Sequence, residues 1–202
     1  MQNYISFFLA LCILIVSCTN KIGKNKTCIY TYNKDGDKDG SYTCFYKNGK
    51  IRRKGFMRQD SLNVDEEYIF YNNEILKEYN FYDPEGCVRY NRTYDLKGDL
   101  INEQGDFFCY QIIDKFESKV GDSLYFQIFI ANPPGTYFNV YGINDSGMYP
   151  IKMISTGFSF TQKRFLHIKR KGSFRLPIAV EFVDSINNKK EIRKRDIDFY
   201  GI

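Results

Sequence analysis

Alternating apolar and polar residues dominate this chain and predict β-strands from residue 28 onward. In Phe174–Phe182 every second residue is apolar, which is typical of a strand with one face in the core. Ser123–Ala131 alternates in the same way and is followed by the strand-breaking residues Asn132-Pro133-Pro134-Gly135. Because no segment of this region has the period of an amphipathic helix, the pattern predicts an all-β protein.

Residues 33–106 contain short alternating runs separated by similar turns. Four turns combine an aromatic residue with residues that favour tight turns: Tyr46–Gly49, Tyr71–Glu74, Tyr82–Gly86 and Tyr94–Gly98. Asn-Gly, or a glycine in the left-handed position, is a strong hairpin signal because these residues accept a positive φ at little cost. The region is therefore predicted to fold as a meander of hairpins.

The first of these units resembles a known repeat. Asp35–Gly40, followed by Tyr46-Lys47-Asn48-Gly49-Lys50 and Gly55, resembles the MORN-type repeats of bacterial antitoxin-like YwqK proteins over residues 33–106. The second unit departs from that pattern, with Asn73-Glu74 in place of Asn-Gly. The resemblance implies an extended sheet of hairpins that serves as an interaction platform or a spacer.

The rest of the chain has a different strand pattern. Beyond residue 113 we expect about seven short strands with turns every 8–12 residues, which favours a small Ig-like β-sandwich. A jelly roll, or a sheet continuous with the repeats, is the alternative. The predicted divisions are 1–17, 18–27, 28–113 and 114–202, which are respectively a signal peptide, a tether, a MORN-like repeat sheet and a sandwich.

The start of the chain is apolar but too short to span a membrane. Ile5–Ser17 carries no charge, whereas a spanning helix needs about 20 residues, so the segment fits the core of a secretory signal. Ile15-Val16-Ser17-Cys18 resembles the lipobox of bacterial lipoproteins, including those of Bacteroidetes. That resemblance implies cleavage before Cys18 and acylation of Cys18 with fatty acids such as palmitate. An ordinary signal peptide cut elsewhere, or an uncleaved strand, is the alternative.

The resemblance also implies a location. Thr19 follows the cysteine, and no acidic cluster comes after it. We therefore expect a lipid anchor in the outer membrane with the body in the periplasm, and exposure at the cell surface is the alternative. Residues 19–27 are polar and basic, as expected of a flexible tether near lipid head groups.

The amino-acid composition limits the classes of partner that are expected. The chain has 17 Tyr and 18 Phe but no Trp, and aromatic residues favour strands. The net charge of +5 comes from 29 basic and 24 acidic residues, which is too mixed a surface to indicate nucleic acid. An envelope protein or a glycan is the expected partner.

Four cysteines remain after the signal and the lipidation site are set aside. Short loops favour the disulfides Cys28–Cys44 and Cys87–Cys109, because closing a short loop costs less entropy. The alternative is that all four are buried free thiols.

Candidate chemistry is sparse. His167 is the only histidine, so a histidine-rich metal site is not expected, and a packed or surface position without a catalytic role is expected for it. Asp35, Asp37 and Asp39 match the start of a calcium loop, but Tyr46 stands where that loop needs its bidentate glutamate, so a repeat turn is favoured. The carboxylates of Asp65-Glu66-Glu67 are expected on a solvated loop. No catalytic residue, metal or cofactor is predicted.

The sequence therefore indicates a non-enzymatic lipoprotein that binds or scaffolds a partner. Its contact residues are predicted to be exposed tyrosines of the repeats and basic residues of the sandwich: Tyr42, Tyr68, Tyr79, Tyr90, Arg170 and Arg193. A carbohydrate-active enzyme of unfamiliar type and a structural spacer are the alternatives.

Overall fold

The chain forms strands throughout the part that the structure describes. The computed structural model describes residues 27–112, 117–119, 123–144, 147–151, 154–155, 160–167 and 172–201. It contains sixteen strands and no helix within these ranges, so the all-β prediction is confirmed. Accordingly, no helix among the described residues is long and apolar enough to cross a membrane.

Seven consecutive strands form one antiparallel sheet, here called the repeat sheet. They are β1 Cys28–Tyr32, β2 Lys38–Phe45, β3 Ile51–Arg58, β4 Leu62–Phe70, β5 Leu76–Tyr82, β6 Val88–Tyr94 and β7 Leu100–Gly105. Each strand pairs with the next along the chain, in the order β1-β2-β3-β4-β5-β6-β7. The predicted meander of hairpins is therefore present.

Five turns of the repeat sheet share one backbone pattern. In each turn the first residue accepts a hydrogen bond from the fourth and donates one to the fifth, as Tyr46 does with Gly49 and Lys50. The fourth residue has a positive φ, 84° at Gly49, which glycine adopts without strain. Glu74 adopts the same conformation with a φ of 70°, so the unit without Asn-Gly keeps the turn.

Tyrosines join neighbouring repeats at one edge of the repeat sheet. The Tyr46 hydroxyl donates to the carbonyl of Phe70, 24 positions later, at 2.6 Å. The Tyr71 hydroxyl donates to the carbonyl of Tyr94, 23 positions later, at 3.0 Å. The aromatic residues of these two turns thus bond the backbone of the next hairpin.

Nine further strands form two smaller sheets. They are β8 Phe108–Ile112, β9 Glu117–Ser118, β10 Ser123–Ile130, β11 Thr136–Asn144, β12 Gly147–Ile151, β13 Ile154–Ser155, β14 Phe160–His167, β15 Gly172–Asp184 and β16 Lys189–Gly201. The orders are β13-β14-β10-β8 in a four-stranded sheet and β12-β11-β15-β16-β9 in a five-stranded sheet. Because β8 pairs with β10, residues 108–112 belong with the later strands and not with the repeat sheet.

One hydrophobic core joins the three sheets. Phe81 and Tyr90 of the repeat sheet, Ile128 of the four-stranded sheet and Phe182 of the five-stranded sheet are all fully buried members of one cluster. The Phe107 ring stacks on Phe182 at 4.8 Å between ring centroids. The repeat sheet therefore packs directly against the C-terminal sheets.

Candidate functional site

Two adjacent acidic side chains are buried in the middle of β4. Glu66 is 1% exposed and Glu67 is 3% exposed, which contradicts the expectation of a solvated loop. Asp65 has a φ of 60°, and the β3–β4 register shifts between Gly55 and Phe56, as in a β-bulge. Neighbouring residues of a strand point to opposite faces, so Glu66 and Glu67 enter two different environments.

Glu66 lies where the repeat sheet meets the C-terminal sheets. Its Oε1 accepts hydrogen bonds from the Tyr79 hydroxyl at 2.6 Å and from the backbone N–H of Asn132 at 3.0 Å. Its Oε2 accepts one from the Tyr68 hydroxyl at 2.9 Å. The Tyr79 hydroxyl is also 2.8 Å from the Asn132 nitrogen. Both oxygens of Glu66 are thus engaged within the protein.

Burial shifts the pKa of the Glu66 carboxyl group. Loss of hydration raises the pKa of Glu66 to about 7, although the bonds from Tyr79, Tyr68 and Asn132 oppose the shift, and the nearby Asp65 adds to it. Burial, together with Glu66, also raises the pKa of Tyr68 and Tyr79, so both hydroxyls stay protonated and donate. Glu66 therefore titrates near neutral pH.

A buried arginine also lies at the contact between the repeat sheet and the C-terminal sheets, which is here called the junction. Arg92 of β6 is 1% exposed, and its guanidinium donates to Asp184 Oδ2 at 2.6 Å, to Glu103 Oε2 at 3.3 Å and to the Tyr90 hydroxyl at 2.7 Å. Glu103 Oε1 accepts from Lys189 Nζ at 2.9 Å. Since Asp184 ends β15 and Lys189 begins β16, this network ties the repeat sheet to the hairpin of the five-stranded sheet.

Glu67 organises a polar ladder on the other face of the repeat sheet. Its Oε1 accepts from the Tyr42 hydroxyl at 2.5 Å, and its Oε2 accepts from the Tyr82 hydroxyl at 2.9 Å and from Asn80 Nδ2 at 3.3 Å. Asn91 Nδ2 donates to Asn80 Oδ1 at 2.7 Å and carries the ladder onto β6. The ladder therefore joins side chains of β2, β4, β5 and β6.

Glycine at position 55 lets Tyr42 reach across β3 to Glu67. A Cβ at Gly55 would lie 3.2 Å from the Tyr42 hydroxyl and 2.9 Å from the carbonyl oxygen of Glu66. Any side chain there would push β2 and β4 away from this close approach.

The four tyrosines predicted as exposed contact residues are not exposed. Tyr42, Tyr79 and Tyr90 are at most 2% exposed, and Tyr68 is partly buried against the core. Their hydroxyls bond the buried side chains described above, namely Glu66, Glu67 and Arg92. The prediction of exposure is wrong because these rings cover buried charges.

Arg193, which the sequence predicts as a partner-contact residue, makes several contacts within the protein. Its guanidinium lies 4.4 Å from the Phe107 ring centroid and donates to the carbonyl of Gly105 at 3.1 Å and to Asp106 Oδ1 at 3.3 Å. It also pairs with Glu191. Arg193 thus attaches β16 to the segment that follows the repeat sheet. Arg170 and Cys18 lie outside the described residues.

The four cysteines within the described residues form one disulfide and two free thiols. Cys28 and Cys44 are disulfide-bonded and lie directly opposite each other in the β1–β2 ladder. Cys87 is an exposed free cysteine and Cys109 is a half-buried one, so the second expected bridge is absent. Cys87 precedes β6 of the repeat sheet, whereas Cys109 lies in β8 of a different sheet. Burial raises the pKa of the Cys109 thiol to about 12.

Two other sequence features have ordinary structural positions. Asp35 and Asp37 lie in a repeat turn, where their backbone N–H groups donate to Asn33 Oδ1 at 2.9 and 3.0 Å. His167 is the last residue of β14, opposite Ser123 of β10. Within the described ranges, no group of three or more His, Cys, Asp or Glu is placed to hold a metal ion.

Sequence reasoning missed Arg92, although its pattern carried a signal. In Tyr90-Asn91-Arg92-Thr93-Tyr94, the arginine shares one strand face with two aromatic residues, and a charge flanked in this way is often buried and paired. Glu66 and Tyr68 show the same spacing. Asn132 and Asp184 gave no such signal, because their role depends on contacts made far along the chain.

Comparison of the chain with protein-family models, with curated proteins and with solved structures finds no match in any of the three. The geometry and chemistry of the residues are therefore the basis for assigning a function.

Proposed function

We propose that this protein is a lipid-anchored lipoprotein of a bacterial cell envelope, and that its β body is a non-enzymatic binding or scaffold module. Cys18 is the acylated residue, and the outer membrane facing the periplasm is the proposed site, with the cell surface as the alternative. The partner is an envelope protein or a glycan. The segment Ile15-Val16-Ser17-Cys18 supports the anchor.

One observation carries the binding role. The buried charged groups of the junction are bonded to other residues of the protein. Glu66 accepts three hydrogen bonds, and Arg92 contacts Asp184, Glu103 and Tyr90. Outside the junction, the described residues form the faces of β-sheets. Such surfaces suit recognition of another molecule.

We further infer that the two C-terminal sheets form an Ig-like β-sandwich. The order β13-β14-β10-β8 corresponds to strands D-E-B-A of that fold, and β11-β15-β16 corresponds to C-F-G. Core residues from both sheets, such as Ile128 and Val180, support face-to-face packing. The MORN-type reading of the repeat sheet is supported by its five matching turns.

The proposal is tested by cross-linking in native membranes. The full chain is expressed in its native host, and the membranes are treated with a bifunctional cross-linking reagent. The molecules captured by the protein are then identified. A Cys18→Ala variant is the matched control. The proposal predicts that the wild-type chain fractionates with membranes and captures the same partner repeatedly, whereas Cys18→Ala leaves the membrane fraction. A wild-type chain found in the cytosol would overturn it.

A carbohydrate-active enzyme is the second candidate. A pKa of about 7 at Glu66 would suit a general acid, whereas the hydrogen bonds that Glu66 accepts from Tyr68, Tyr79 and Asn132 favour the binding role. The Glu66→Gln variant separates the two candidates. An enzyme using Glu66 would release reducing sugars from envelope polysaccharides and would lose that turnover in the variant. A binding module would show no turnover and would keep its captured partner.

A further inference from the structure

The outward side of the five-stranded sheet carries polar, aromatic and aliphatic residues in regular rows. Val140, Val180 and Phe182 face the core, so the residues that alternate with them point outward. Nine outward residues of β11, β15 and β16 form what is here called the outer grid. Its three rows of paired residues are Tyr137, Val183 and Lys190; Asn139, Glu181 and Ile192; and Tyr141, Ala179 and Lys194.

Glu181 holds the polar centre of the outer grid in place. It accepts from Lys190 Nζ at 2.7 Å, from Asn139 Nδ2 at 2.8 Å and from the Tyr141 hydroxyl at 3.4 Å. The bonds from Lys190 and Asn139 lower the pKa of Glu181, so the carboxylate stays charged. Hydrogen-bonding groups that are already fixed lose less freedom when a ligand binds.

Two tyrosines border this centre along β11. Tyr137 is 54% exposed, and Tyr141 is half-buried. They are four residues apart, or roughly 13 Å along an extended strand, which is longer than one sugar ring. Ala179 lies between Tyr141 and Lys194 in its row, and its single methyl group is fully covered by neighbouring residues. The outer grid therefore carries an aromatic ring at each end of its β11 side.

The charge of the outer grid favours an acidic ligand. It has two lysines and one glutamate, and Lys190 is 61% exposed while it pairs with Glu181. Lys194 is exposed and makes no ion pair with another described residue. Lys194 is therefore available to pair with a negative group of a ligand.

We propose that the outer grid binds an acidic glycan, such as a chain containing uronic acids. Tyr137 and Tyr141 stack on sugar rings, Asn139 and Lys190 bond hydroxyl groups, and Lys194 pairs with a sugar carboxylate. This inference rests on the proposed binding function and names the chemical class of its partner.

The test uses the mature acylated protein in non-ionic detergent. Its mobility is measured by affinity electrophoresis in gels that each contain one polymer. The polymers are polygalacturonate, neutral dextran and polyglutamate. We expect polygalacturonate to retard the protein most, and the apparent affinity to fall at least tenfold in Tyr137→Ala and in Lys194→Ser. The controls Tyr32→Ala and Arg58→Ser also remove exposed side chains, but they lie on the repeat sheet and should bind as the wild type does.

Each remaining outcome counts against the inference. Equal retardation by polyglutamate would show a charge effect without sugar recognition. Unchanged binding in both grid variants, with their circular dichroism unaltered, would place the site elsewhere. If no polymer binds while cross-linking still captures an envelope protein, the acidic-glycan inference fails and the proposed binding function stands.

Discussion

Glu66 shows how a single side chain can couple the fold to pH. Its pKa is raised from 4.5 to about 7, so the folded chain binds a proton more tightly than the unfolded chain does. The stabilisation that this proton provides is fully present below about pH 4.5 and is lost as the pH rises to about 7. The loss amounts to about 3 kcal/mol, at ~1.4 kcal/mol per pH unit.

We therefore predict that Glu66→Gln stabilises the protein at pH 8 by up to ~3 kcal/mol and flattens the pH dependence between pH 4.5 and 7. The amide keeps an oxygen for the Asn132 N–H and needs no charge. Urea unfolding at several pH values, followed by tyrosine circular dichroism, measures this effect. Glu74→Gln is the control, because Glu74 is 62% exposed. A Glu66→Gln variant that is less stable than wild type at pH 8 would contradict the prediction.

Gly55 is a residue whose missing side chain matters. Gly55→Ala should destabilise the protein by ~1–3 kcal/mol, because the new methyl group meets the Glu66 carbonyl and the Tyr42 hydroxyl in a packed sheet. Urea midpoints measure the change, and Ser41→Ala on the exposed neighbouring position is the control. Equal stability of Gly55→Ala and wild type would mean that β2 and β4 are not held at this distance.

At the scale of elements, β1 depends on its disulfide more than on packing. Its five residues are exposed or half-buried, and none is buried. The Cys28–Cys44 bond closes a separation of 16 residues, which is worth about 3 kcal/mol for a loop of this size. The first strand of the repeat sheet is thus secured at its first residue.

Replacing both Cys28 and Cys44 by serine should release β1 while the centre of the sheet persists. Hydrogen exchange measured by mass spectrometry should show loss of protection in residues 28–32 and unchanged protection in β5 and β6. Cys87→Ser, which removes an exposed free thiol, should exchange as the wild type does. Protected β1 amides in the double variant would show that strand pairing alone holds β1.

The elements themselves were largely readable from the sequence. Turn residues such as Asn48-Gly49 and the alternation in Phe174–Phe182 located hairpins and strands, because both signals act over a few residues. The side of each strand that becomes buried could not be predicted from the sequence. Tyr79 and Tyr90 are covered by residues such as Asn132 and Phe182, and alternation alone does not state which face a later segment will cover.

At the scale of the whole molecule, Arg92 links the repeat sheet to the five-stranded sheet through its ion pair with Asp184. Removing one partner of a buried, paired charge leaves the other unpaired in a site without water, which costs ~3–5 kcal/mol. We predict this loss for Arg92→Met, measured by urea unfolding. Asp184 is the partner of Arg92. Asp184→Asn should therefore destabilise the Arg92→Met variant much less than it destabilises the wild type.

An exposed arginine provides the matched control. Arg175 pairs with Asp198 at 3.0 Å but is 67% exposed, so Arg175→Met should leave the urea midpoint close to that of the wild type. Equal effects of Arg92→Met and Arg175→Met would show that the junction does not depend on its buried ion pairs.

The central claim is that a fatty-acylated Cys18 holds this β body in the cell envelope. Mass spectrometry of the amino-terminal peptide of the mature protein, purified from membranes, tests it most directly. The account predicts a peptide that begins at Cys18 and carries diacylglycerol and fatty acid. A chain that still begins at Met1, or an unmodified thiol at Cys18, would contradict it.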